Sequence, residues 1–282
     1  MPFKNIFKSS FGRQYLGAGS LDPFTEVPPP QAGPELLSLP GLLALYRADV
    51  GVTSSGDVTY WADQSGHGFH LTGSATLGPT LTASDSDFNN EPALSFNGSD
   101  SRLTNDYIQQ KAGSLSDQTG VTCIMFVRSN IASIKTLLEW GNTDNNSHKL
   151  RCGWSGRSEQ DQFEMQNALS GSYVGKIMHD AAPFNATSSY CVITKYTKET
   201  NGACEVWTNG VYGAKAIAGT PTTVTDKICE GPLTIGANQP LASFHNMDLA
   251  ELVILNQPMT SASLNTILQY GLDRYGITSG SL

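Results

Sequence analysis

Cys204-Glu-Val-Trp-Thr-Asn-Gly-Val211, Leu233-Thr-Ile-Gly236 and Met247-Asp-Leu-Ala-Glu-Leu-Val-Ile-Leu255 are extended runs in the last third of the chain, and one amphipathic stretch, Ser261 to Tyr275, follows them. Asn209-Gly210 is a two-residue hairpin signal, because both residue types accept positive φ. In the last stretch, Leu264, Ile267, Leu268, Leu272 and Tyr275 recur at helical spacing on one stripe. Thr260 or Ser261 supplies an N-cap hydroxyl, and Gly276 stops the helix. Asp273 and Arg274 are expected to face water. Strands in series closed by a single late helix predict a β-sandwich that uses the helix as a lid.

Working back toward the N-terminus, Leu42–Arg47 and Asp57–Trp61 read as strands, with a Ser54-Ser-Gly56 turn between them. The loop Asp63-Gln-Ser-Gly-His-Gly68 has two glycines for backbone angles other residues resist. Pro92–Phe96 is a short strand ending in the Asn97-Gly98 turn, and Arg102-Leu103 continues beyond it. Val121 to Arg128 alternates apolar residues onto both faces, the mark of a central strand covered from both sides. Lys135–Trp140, Lys149–Trp154, Gln162–Gln166 and Tyr190–Thr197 complete about twelve strands, the spacing of an all-β sandwich or barrel.

A length of 282 residues leaves room for one large β domain or two small ones. The net charge of -8 argues against nucleic acid, since phosphate binding needs clustered Lys and Arg. No apolar run is long enough to span a bilayer, so no membrane partner is expected. Met-Pro-Phe-Lys-Asn-Ile-Phe-Lys at the start lacks the apolar region of a secretory signal, which predicts a mature chain that starts at Met1 and is made in the cytoplasm. Cys123, Cys152, Cys191, Cys204 and Cys229 are odd in number and lack paired spacing, so they read as buried apolar side chains. Cys191 and Cys204 do not pair: with a turn at Thr200-Asn-Gly202, Cys204 falls opposite about Thr197.

Residues 1–38 read as an extended arm, 39–277 as one domain and 278–282 as a tail. The arm interleaves Lys4, Lys8 and Arg13 with Phe3, Ile6, Phe7, Phe11 and Tyr15, then passes through Pro28-Pro-Pro30. Such a segment cannot fold alone but can lie along a partner, with Phe3, Lys4, Phe7, Lys8, Phe11, Arg13 and Tyr15 as its binding residues.

Catalytic chemistry is sparse. A jelly-roll glycosidase needs carboxylates at i, i+2 and i+4 on one strand face, and no such run exists. Asp248 and Glu251 are three apart, which on a regular strand places them on opposite faces, and Glu251 reads as a structural hydrogen-bonding residue. The metal candidates are Asp85, Asp87, Asn142, Asp144 and Asn146, oxygen donors in turns that suit calcium. Trp61, Trp140, Trp154 and Trp207 are expected in the core, or as a sugar-stacking platform if exposed.

Tyr46-Arg-Ala-Asp49, Trp61-Ala-Asp-Gln-Ser-Gly-His-Gly68 and Pro92-Ala-Leu-Ser-Phe-Asn-Gly98 resemble the front half of laminin-G-like, concanavalin-A-like jelly-roll domains. Val206-Trp-Thr-Asn-Gly210, Leu233-Thr-Ile-Gly236, Ala250-Glu-Leu-Val-Ile-Leu255 and Tyr270-Gly-Leu-Asp-Arg-Tyr-Gly-Ile277 resemble the back half. The likeness covers residues 39–277, with no motif between about 130 and 190. It implies an antiparallel concanavalin-A-like jelly roll with one C-terminal helix. Domains of this kind occur in bacteriophage virion proteins and bacterial surface proteins.

Together these readings predict a non-enzymatic virion structural protein of a tailed bacteriophage. It would be a capsid decoration (cement) protein, or a head or tail appendage, located on the virion and made in the host cytoplasm. Its arm would bind the major capsid protein or another virion protein, it would be homo-oligomeric, and it would need no cofactor beyond calcium. The alternative is a lectin-like, carbohydrate-binding module for host-surface glycans, with its site on loops 63–70, 142–148 and 155–160. A bacterial adhesin fragment is the third reading.

Overall fold

The computed structural model describes residues 34–105, 119–130, 135–141, 149–157, 160–169, 172–178, 188–197, 203–212, 231–238, 241 and 243–277. After a single helical turn, α1 (Pro34–Leu37), come β1 (Leu42–Arg47), β2 (Val52–Ser55), β3 (Asp57–Trp61), β4 (Leu71–Thr72), β5 (Thr80–Asp85), β6 (Glu91–Asn97), β7 (Leu103–Asn105) and β8 (Gly120–Ser129). The order continues with β9 (Lys135–Trp140), β10 (Lys149–Arg157), β11 (Gln160–Leu169), β12 (Ser172–Met178), β13 (Ser189–Thr197), β14 (Ala203–Thr208), β15 (Val211–Tyr212), β16 (Leu233–Ile235) and β17 (Asn246–Leu255). The last element is α2 (Ser261–Tyr275).

Every pairing is antiparallel, and the strands form two sheets. One sheet runs β15-β14-β13-β8-β17; the far side of β17 pairs with β6 along its first half and with β1 along its second, and β5 flanks β6. The other sheet runs β2-β3-β4-β7-β16-β9-β10-β11-β12. A single pair, Asp57 opposite Thr80, joins the sheets at one edge. Strands in series closed by one late helix predict a β-sandwich, and an all-β antiparallel sandwich is the fold found.

The core explains why β8 is apolar on both faces. Val121, Cys123, Met125 and Val127 point inward, where they meet Trp61, Leu94, Phe96, Trp140, Leu150 and Ile235 between the sheets. Ile124 and Phe126 point outward and meet Phe88, Val253, Ile267, Tyr270 and Tyr275 beneath α2. The molecule therefore has an inner core between the sheets and an outer core between one sheet and the helix.

β17 carries a bulge that the sequence pattern hides. Leu249 pairs with Val127 but Glu251 pairs with Phe126, so Ala250 is an extra residue in the ladder. The bulge resets the alternation, and Asp248 and Glu251 both face outward rather than to opposite sides. Asp248 meets Arg128 there, and Glu251 meets Tyr270 and Tyr275 of α2. The expectation of opposite faces assumed a regular strand and is corrected.

α2 is capped as its sequence predicts: the Thr260 hydroxyl accepts from Ser263 N–H, and Gly276 ends the helix with φ 66°. Its buried face is Ile267, Leu268, Tyr270, Gly271 and Tyr275, whereas Leu272 is exposed. Gly271 allows the close approach, since a Cβ there would lie 2.6 Å from Cε1 of Phe126. Arg274 does not simply face water; its guanidinium bonds Asp49 and Glu91 at 2.7 Å each. Packing also begins before Leu39, because Leu36 is fully buried in the outer core.

The strands that the sequence does not announce are β2, β4, β5 and β12. Val-Thr-Ser-Ser and Thr-Leu-Thr-Ala-Ser-Asp lie at sheet margins and are mostly exposed, so neither needs an apolar face. Cys123, Cys152 and Cys191 are buried free thiols. Cys204 sits opposite Tyr196, one residue from the position expected, and not opposite Cys191.

Candidate functional site

The hairpin β14–β15 creates the one place among the described residues where a half-buried Trp and an exposed Tyr adjoin. Asn209 and Gly210 take φ of 49° and 85°, which folds β15 straight back on β14. Trp207 then lies opposite Tyr212, and Ile193 lies opposite Trp207 on the other side. Asn209 is fixed to the sheet, its side-chain oxygen accepting from Cys191 N–H at 2.8 Å. All of these side chains stand on the outward face, beside the outer core.

Trp207 packs one side against that core and leaves the rest accessible. Tyr212 is 48% exposed, its ring 5.4 Å from that of Trp207 and inclined at 59°. The Lys195 ammonium sits 5.2 Å above the Trp207 ring and is ion-paired with Glu205, its cross-strand neighbour. The Tyr212 hydroxyl is held above its ordinary pKa by partial burial and by Glu205. The exposed Tyr212 ring beside the half-buried Trp207, edged by an ammonium and a carboxylate, can stack on the C–H face of a sugar ring and bond its hydroxyls.

Trp61 and Trp140 lie in the inner core as expected for tryptophans in strands. The Trp61 indole donates to the carbonyl of Arg47 at 2.7 Å. Trp207 departs from that expectation. Tyr212 is not among the residues singled out from sequence, although the signal is there: positions 207 and 212 are the second pair out from a two-residue turn and must share a face.

Loop 63–70, a glycan candidate from sequence, is organised inward by Asp63. Its carboxylate accepts from the backbone N–H groups of Leu45, Ser65 and Phe69 at 2.8–3.0 Å. Asp63 N–H in turn donates to Nδ1 of His70, and the Tyr46 hydroxyl donates to the Phe69 carbonyl. Loop 142–148, with Asn142, Asp144 and Asn146, lies outside the described residues, as do Phe3, Lys4, Phe7, Lys8, Phe11, Arg13 and Tyr15 of the arm.

Asp85 and Asp87 bracket Ser86 at the start of a short 3-10 turn, and both face Arg128 of β8. The same guanidinium holds Asp248 at 2.5 Å. Burial pushes the Asp85 carboxyl up, Arg128 pulls it down and Asp248 adds to the rise. The positive charge among these carboxylates belongs to Arg128, and among the described residues no group of three or more His, Cys, Asp or Glu side chains is placed to hold a metal ion.

No known protein family matches the chain, and no curated protein does. Solved structures do. Trypanosoma rangeli sialidase in complex with sialic acid superposes with a TM-score of 0.55 at 13% identity, over 83% of this chain and 36% of that one. A receptor-binding domain superposes with a TM-score of 0.55 at 12% identity, over 82% of this chain and 51% of that one. The receptor-binding domain of botulinum neurotoxin type G gives 0.54 at 9% identity, again over 82% and 51%. The chain thus spans about a third of the sialidase and about half of the receptor-binding chains. Identities this low establish the shared β-sandwich alone.

The likeness to sialidases overturns one expectation. The sequence reading excludes an enzyme because it finds no regularly spaced carboxylates, yet the sandwich superposes on part of an enzyme chain. The exclusion was too strong in physical terms as well. The bulge in β17 shows that strand spacing in the sequence does not fix which carboxylates share a face.

Proposed function

We propose that this chain is a carbohydrate-binding β-sandwich module of the lectin-like, concanavalin-A-like class, and that Trp207, Tyr212, Lys195 and Glu205 form its sugar platform. The observation that carries the reading is the exposed Tyr212 ring set against the half-buried Trp207 at a rigid two-residue hairpin. An aromatic pair on a hairpin loses little conformational entropy when a ligand lands on it. The receptor-binding domains that share the fold lend support to a binding role.

A glycan array on the full chain, followed by calorimetry on the best hit, tests the platform. Trp207→Ala is expected to weaken binding about 30-fold, the 2 kcal/mol typical of a dominant aromatic contact. The far-ultraviolet circular dichroism should not change. Binding should persist in a chelator, because no metal takes part in the platform. An unchanged glycan profile in Trp207→Ala sinks the proposal. Calcium-dependent binding lost on changing Asp85 or Asp144 would move the site to the turns singled out in the sequence.

Attachment to a virion through residues 1–38 is a separate proposal that rests on the sequence of that segment. Particles assembled with a chain lacking residues 1–33, a deletion that spares the buried Leu36, are expected to lose it. Full attachment of the truncated chain removes the proposal.

A further inference from the structure

Glu251 is fully buried on the outward face of β17, where the bulge aims it at α2. One carboxyl oxygen, Oε2, accepts both the Tyr270 hydroxyl at 2.8 Å and the Tyr275 hydroxyl at 2.5 Å. The other, Oε1, is buried and has no hydrogen-bond partner. Both tyrosines belong to the helix, so one acidic side chain on the sheet holds the two polar anchors of its lid.

Charged and titratable groups face this carboxyl from several sides. Arg47 of β1 lies opposite Glu251 in register and is clamped by Asp49 through bonds of 3.0 and 2.5 Å. Arg274 of α2 is tied to Asp49 and to Glu91 of β6. Cys191 of β13 feels the carboxylate, and its thiol is pushed up by burial first and by Glu251 second. From β8 the neighbour is Phe126, which offers no charge. Both arginines spend bonds on Asp49.

We propose that Glu251 is a proton-sensitive latch for the C-terminal helix. With the proton on, the carboxyl sits in the dry seam without charge and the helix is held. With the proton off, a carboxylate with one unpartnered oxygen is sealed under α2, and the helix opens more readily to hydrate it. Burial is the leading influence on this group and pushes its pKa up to about 7, against the downward pull of Tyr275, Tyr270, Arg47 and Arg274. The folded state therefore binds the proton more tightly than the unfolded chain. The stability it contributes is full below the ordinary glutamate range, declines as pH rises through about 7, and is level above that.

Hydrogen exchange on the full chain at pH 6 and pH 8, corrected for intrinsic rates, reads the latch directly. Protection of the amides in residues 261–275 is expected to fall about tenfold over that interval, while β10 and β11 in the other sheet stay level. Glu251→Gln, neutral at both values, is expected to abolish the difference. Tyr270→Phe removes a donor that favours the carboxylate, so the midpoint should move to higher pH. A helix whose protection changes no more than that of β10 and β11 in the native chain overturns the latch, whether or not Glu251→Gln folds. Equal slopes in the native and Glu251→Gln chains do the same.

Discussion

Asp63→Ala is expected to lower the unfolding free energy by about 3–5 kcal/mol, measured by urea titration at neutral pH. The carboxylate accepts from three backbone N–H groups on two separate segments: Leu45 on β1, and Ser65 and Phe69 in the loop. It also lies 2.8 Å from the Ser65 hydroxyl. Leu45 and Phe69 are buried, so their N–H groups gain no water when the acceptor is removed. Each orphaned donor costs about 1–3 kcal/mol. The loop contains Gly66 and Gly68 at φ of 88° and 74°, angles it adopts without side-chain strain but also without side-chain restraint. Gln64 N–H still donates to the Leu45 carbonyl at 2.7 Å, so the loop keeps a tie to β1 while Leu45 N–H loses its acceptor. Asp63→Asn keeps one carbonyl oxygen and replaces the other acceptor with a donor that faces Phe69 N–H, so it should recover only part of the loss. A loss below about 1 kcal/mol in Asp63→Ala would mean that the loop repacks around a different acceptor.

Asp63 also shows why so much of the fold could be read from the sequence and so little of the site. The segments that carry the family resemblance turn out to encode joints. Asp63 closes one loop, and Asn97 closes another by accepting from the N–H groups of Ser99, Asp100 and Ser101 at 2.8–3.2 Å. Tyr46-Arg-Ala-Asp49 and Tyr270-Gly-Leu-Asp-Arg-Tyr-Gly-Ile277 meet each other through the Asp49–Arg274 ion pair. The strand carrying Glu251 passes between them. Residues that hold turns and seams are confined to particular types by backbone geometry and burial, so they leave a pattern over long spacings. A binding surface leaves no such pattern. Trp207 and Tyr212 need only be aromatic and adjacent, and a Trp inside a strand looks the same in sequence whether it is buried like Trp140 or half-exposed like Trp207.

The misreadings have local causes of the same kind. Strand alternation placed Asp248 and Glu251 on opposite faces because a bulge inserts a residue without changing composition. Helical spacing put Leu272 in the stripe, whereas the helix turns Gly271 to the sheet, because its missing Cβ lets the axis come closest there. Arg274 read as solvent-facing because its partners, Asp49 and Glu91, are more than 180 residues away. β2 and β5 escaped notice because their side chains are largely exposed and need no apolar period.

The closest approach of helix to sheet is also where the second large effect is expected: Phe126→Ala should cost about 3–5 kcal/mol and expose the helix to exchange. Phe126 is fully buried at the centre of the outer core. Its ring lies 4.8 Å from that of Tyr275 and 5.7 Å, edge to face, from that of Tyr270. Truncation removes these contacts and leaves a hole that two tyrosines cannot fill, because both hydroxyls are committed to Glu251. Gly271→Ala attacks the same spot from the opposite direction. Its new methyl would meet Cε1 of Phe126 at 2.6 Å, and the ring cannot swing away from a packed site. That change alone should cost about 1–3 kcal/mol by overpacking. In the Phe126→Ala background the same methyl enters vacated space and its cost should vanish. The two substitutions are therefore expected to be non-additive by at least 1 kcal/mol in a double-mutant cycle read by thermal and urea unfolding. Additivity within about 0.5 kcal/mol would show that the helix does not rest on Phe126 at all. In that event the sheet's outer face would need another contact to explain why Tyr270 and Tyr275 are buried.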